Sequence, residues 1–84
     1  MYTVVWTDDA LDDLARHWMS AASEVRQEIN DAMALLDRHL RANGPRLGES
    51  RAKGRRVLHV DPVAVLFQVS ELDRLVTVIQ AWTF

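Results

Sequence analysis

Between Glu49 and Val60 the chain reads ESRAKGRRVLHV, with four cations, Arg51, Lys53, Arg55 and Arg56, inside six positions and His59 three residues further on. Guanidinium groups grip phosphates and carboxylates through a planar fork, and an imidazole titrates near neutrality. Such a set is suited to holding an anion and moving a proton beside it. On an extended chain Arg51, Lys53 and Arg55 project to one side and Arg56 to the other, because side chains alternate. Three roles fit these charges: contact with the phosphates of RNA or DNA, docking of an acidic protein segment, and a solvated loop that keeps a small domain soluble.

Other chemistry-bearing residues have simpler readings. Asp8, Asp9, Asp12 and Asp13 resemble paired acid catalysts, but their place in the first turns of a helix is explained by its positive end. His17 and His39 fall on the polar sides of two helices. No two histidines stand at ligand spacing with a carboxylate or cysteine, so no metal site is expected, and no glycine-rich phosphate loop or serine–histidine–acid set calls for a cofactor. Of the tryptophans, Trp18 belongs to a helix stripe and is expected in the core. Trp82, near the end of the last apolar run, is the better candidate for a ligand or partner contact.

The elements that position these residues follow from periodicity. YTVVW (residues 2–6) is β-branched and aromatic and reads as a strand. Thr7 then caps a helix that runs to about Ser20 with Leu11, Leu14, Ala15 and Trp18 at helical spacing. A second helix of about five turns carries Val25, Ile29, Met33, Leu36 and Leu40 on one stripe, with Ser20 or Ser23 as candidate cap. It stops at Asn43-Gly44-Pro45, where Gly44 suits a left-handed position. Residues 45–54 read as a loop, followed by three apolar runs at 55–60, 63–69 and 75–84 joined by short breaks. The expected architecture is α+β: an N-terminal strand, a two-helix antiparallel hairpin and a three-stranded antiparallel meander. Both helices cover one face of a four-stranded sheet, with the first strand at an edge of the meander.

Composition agrees with one small domain spanning residues 1–84. At 84 residues and 49% hydrophobic, the chain can build only a modest core. The absence of cysteine fits a reducing cytoplasm, and neither a signal peptide nor a membrane span is expected. The net charge of −2 conceals strong asymmetry. Residues 1–37 hold eight acids and two bases, residues 38–60 one acid and seven bases, and residues 61–84 three acids and one base. Net positive charge is thus confined to mid-chain, a pattern that points to an anionic partner.

The order of elements, with YTVVWTDDALDDL, the long second helix, GRRVLHV, VAVLFQV and VTVIQAW, resembles the RelE/ParE superfamily of bacterial type II toxins across nearly the whole chain. The resemblance implies a growth-inhibiting toxin, of the kind linked to plasmid stabilisation, neutralised by a cognate antitoxin. It implies one of two targets: the ribosome, through mRNA cleavage, or DNA gyrase, without any nuclease chemistry. Arg51, Lys53, Arg55 and Arg56 match the family's basic loop and strand entry, and with His59 they are the candidate catalytic set. Departures are present. Ala64 stands where the family's third strand commonly bears arginine, Val63 or Phe67 answers its tyrosine, and AWTF replaces a longer basic tail. Losing one transition-state donor costs ~10²–10³ in rate, so these departures favour a gyrase-directed or catalytically weakened toxin. A non-toxic binding module on the same fold is the alternative.

Overall fold

A computed structural model describes residues 1–84. Strand β1 (Thr3–Trp6) leads into helices α1 (Asp8–Met19) and α2 (Ser23–Asn43). A 3-10 turn (Gly44–Arg46), the two-residue strand β2 (Glu49–Ser50) and a second 3-10 turn (Ala52–Gly54) follow. Strands β3 (Arg55–Val60), β4 (Val63–Ser70) and β5 (Leu75–Thr83) complete the chain.

The sheet order is β1-β5-β4-β3-β2, with β1 parallel to β5 and every other pair antiparallel. The sheet therefore has five strands rather than the expected four, because part of the expected loop pairs with β3 through Glu49–Val57 and Ser50–Arg56. The first strand sits at an edge, as its pattern implies, and the meander forms as expected. Both helices cover one face, where thirteen buried residues form the core. Phe67, Val63, Val65, Val76 and Val78 from the sheet are fully buried, as are Leu36 and Leu40 of α2.

Local chemistry fixes the helix ends. The Thr7 hydroxyl oxygen accepts from the Ala10 N–H at 3.1 Å, and the hydroxyl donates to the Ile79 carbonyl at 3.2 Å. One side chain thus caps α1 and ties it to β5. At the other end of α1, Arg26 donates to the carbonyls of Trp18 and Met19, both at 2.9 Å. Its guanidinium also lies over the Trp18 ring, 4.5 Å from the centroid.

Three local expectations change. Ala22, not a serine, occupies the cap position of α2, while the Ser20 hydroxyl turns back to the Arg16 carbonyl at 3.1 Å. Gly44 is right-handed (φ −39°), and glycine is needed there for space, since a Cβ would meet Val76 Cγ2 at 2.7 Å. Trp18 is 36% exposed rather than core: it continues the Ala10–Leu14 row at i+4, but in the last turn of α1, where its ring lies under the Arg26 guanidinium.

Candidate functional site

The register decides where the mid-chain cations point. Arg56 pairs with the buried Phe67, so it shares the helix-covered face, whereas Arg55, Val57 and His59 alternate onto the open face. Residues 51–55 are not an extended run. The Arg51 N–H donates to the Arg55 carbonyl at 2.7 Å, and Lys53 (φ 64°) and Gly54 (φ 73°) turn the chain between them. Arg51, Lys53 and Arg55 therefore crown the tip of the β2–β3 hairpin, and the alternation expected of an extended segment applies only from Arg55 onward.

Arg56 is engaged within the fold. It donates to the Leu47 carbonyl at 2.6 Å, the Gly48 carbonyl at 2.9 Å and the Ser50 hydroxyl at 2.9 Å. These bonds engage all three guanidinium nitrogens, through three of the five N–H donors, and lash the 47–50 segment onto β3. Arg51 lies 3.3 Å from the Glu49 carboxylate and also donates to the Ser50 carbonyl. Lys53 and Arg55 take part in none of the chain's three ion pairs. Arg55 instead lines an open cleft of about 470 Å³ with Asp9, Asp12, Asp13, Arg16, Ile79 and Gln80. The carboxylates of α1 thus face the open cleft at the sheet rather than a distant solvent surface.

His59 is exposed on the open face, four residues along β3 from Arg55, or about 13 Å at the usual rise. Its ring meets Phe84 edge-on, with centroids 5.4 Å apart. Ala64 pairs with His59 on one side and Trp82 on the other, and is only 3% exposed. The small side chain lies between two rings, so the position where the resemblance anticipates arginine is occupied by an aromatic patch. His17, expected at the surface, is half-buried, and its Nδ1 lies 3.0 Å from the Thr83 hydroxyl.

A second surface was not anticipated. Leu11, Leu14, Ala15, Trp18, Met19 and Met33 line an open apolar groove of about 460 Å³ between the helices. Leu11 is 45% exposed and Met19 71% exposed. The signal was present in the sequence: Leu11, Ala15 and Met19 recur at i, i+4 and i+8, a second apolar row beside the buried Ala10–Leu14 row. No helix is long and apolar enough to cross a membrane.

Comparisons with known proteins agree with this geometry. A chain of the chromosomal ParDE toxin–antitoxin system of P. aeruginosa superposes with a TM-score of 0.76 at 18% identity, covering 99% of this chain and 96% of that one. A chain of the RelBE2 toxin–antitoxin complex of Mycobacterium tuberculosis gives 0.77 at 16% identity, with 99% and 91% covered. A chain of the intact E. coli RelBE complex gives 0.65 at 18% identity, with 100% and 98% covered. At these identities the likeness establishes the fold. A search of curated proteins returned no match. The family model described as the ParE toxin of the type II toxin–antitoxin system parDE matches residues 4–81, nearly the full length. The chain therefore belongs to the ParE toxin family of type II toxin–antitoxin systems.

Proposed function

We propose that the chain acts in the cytoplasm as a toxin that arrests growth by binding a protein target, DNA gyrase, rather than by cutting RNA. The observation that carries this reading is the dispersal of the candidate catalytic residues. Cleavage by a 2′-hydroxyl needs cations and a proton acceptor focused on one phosphate. Here Arg56 is spent on backbone carbonyls, and His59 stands about 13 Å along the strand from Arg55 beside a phenylalanine ring. Binding a protein requires no such focus.

The cognate antitoxin is the proposed partner, and an apolar segment of it fits the groove between α1 and α2. That groove exposes Leu11, Trp18 and Met19, which a toxin working alone in water has no reason to display. A ribosome-dependent nuclease working through Arg51, Lys53, Arg55 and His59 is the second reading, favoured by the hairpin cations that remain accessible. A non-toxic binding module is the third, favoured by Ala64 and its flanking rings.

Induced expression of the chain without antitoxin, followed by assays of gyrase–DNA cleavage complexes and of mRNA cleavage on ribosomes, separates the three. Trapped gyrase with intact mRNA is the expected result. Cut mRNA that becomes intact with Arg51→Ala and His59→Ala supports the nuclease, and undisturbed growth supports the binding module.

A further inference from the structure

We propose that the tip of the β2–β3 hairpin docks on the sugar–phosphate backbone of duplex nucleic acid, whatever protein the toxin inhibits. The β2–β3 register continues one step beyond Ser50–Arg56, which sets Arg51 directly opposite Arg55, joined by a backbone hydrogen bond of 2.7 Å. Like charges so placed destabilise a hairpin. Lys53 adds a third cation at the apex in a left-handed conformation that lysine rarely adopts. Glu49 pairs with Arg51, whereas Arg55, although it lines the cleft with Asp9, Asp12 and Asp13, forms an ion pair with none of them. Each choice opposes the stability of the turn, and departures of this kind collect at functional positions. An external anion removes the conflict.

The composition of the tip selects the anion. From Arg51 to Arg55 the only uncharged residues are Ala52 and Gly54. Arginine anchors a protein interface where apolar neighbours exclude water around it, and this turn has no aromatic or large aliphatic residue to do so. Phosphate contacts require only cations. Unpaired bases require rings on which to stack. The nearest candidates, His59 and Phe84, lie toward the far end of β3, so the fitting ligand is a duplex whose bases remain paired. Arg56, through its three bonds, holds the platform still. The acids of α1 beside Arg55 repel a polyanion from the rest of the cleft and confine contact to the tip.

The test measures anisotropy of labelled 20-base-pair random-sequence DNA and RNA duplexes with the full chain between 25 and 150 mM salt. Expected is weak binding, ~10⁻⁴–10⁻⁶ M, with a log–log salt slope of about −2.7 for three phosphates. The two duplexes share the phosphate chemistry, and their relative affinities identify the source. The variant Arg51→Gln/Lys53→Gln/Arg55→Gln is expected to bind at least tenfold more weakly while melting no lower than the parent. Absence of salt-sensitive binding to both duplexes, or a folded variant that binds equally well, overturns the proposal. Polyglutamate that binds more tightly than either duplex overturns it in favour of an acidic peptide partner.

Discussion

Arg56 Nε lies 2.6 Å from the Leu47 carbonyl oxygen, and this contact joins β3 to the segment that precedes β2. With the bonds to Gly48 and Ser50 it replaces the ladder that a two-residue strand is too short to supply. Hydrogen bonds to a charged group contribute about 1.5–3 kcal/mol. Arg56→Ala is therefore expected to lower the unfolding free energy by that amount in urea titrations. Arg51→Ala, whose partner is exposed, should change it by less than about 0.5 kcal/mol. Equal effects would mean that Arg56 is no more structural than its neighbours.

Gly48 and Gly54 both have positive φ, 74° and 73°, but only Gly48 is crowded. A Cβ at Gly48 would sit 2.2 Å from the Val57 carbonyl oxygen, which is backbone and cannot turn away, whereas at Gly54 it meets nothing within 4 Å. Gly54→Ala should cost about 1–2 kcal/mol, the left-handed penalty alone. Gly48→Ala should cost clearly more and lower the melting temperature further, since the hairpin must shift to admit the methyl group.

Phe67 is fully buried at the middle of β4, facing the helices. Phe67→Ala is expected to remove about 3–5 kcal/mol. A chain of this length holds roughly 0.05–0.15 kcal/mol per residue. The variant should therefore lose a large part of its stability, with the melting temperature by circular dichroism falling by roughly 12 °C or more.

Leu11→Asp and Met19→Asp place charge in the interhelical groove at positions already open to water. Each should leave the melting temperature nearly unchanged but weaken capture by the cognate antitoxin at least tenfold in calorimetry. Unaltered affinity in both would move the antitoxin to another face.

Most of the fold was legible because periodicity and caps carried it. Thr7 caps α1 as its position implies, and the three late strands fall where alternation places them. What escaped was decided by tertiary contact. Gly44 ends α2 as its position implies, but in a right-handed conformation, and glycine is needed there for the close approach to Val76. Trp18 shares the spacing of the Ala10–Leu14 row, but at the last turn of α1 its ring borders the open groove and lies under Arg26. The candidate site was half legible. The sequence located the cations and set Arg56 opposite Arg55, but it took the register of β3 to show that Arg56 is the one turned inward and that Arg51 and Arg55 face each other across the hairpin.

Thr3 pairs with Leu75, and Trp6 with Val78, across nearly the entire chain. A nascent polypeptide emerging from its N-terminus consequently has no partner for its opening segment until the codons for Leu75–Val78 have been read. Contacts so distant close late. A product terminated before Leu75 lacks its sheet's parallel seam altogether, and the folded form arises only after that segment has been made.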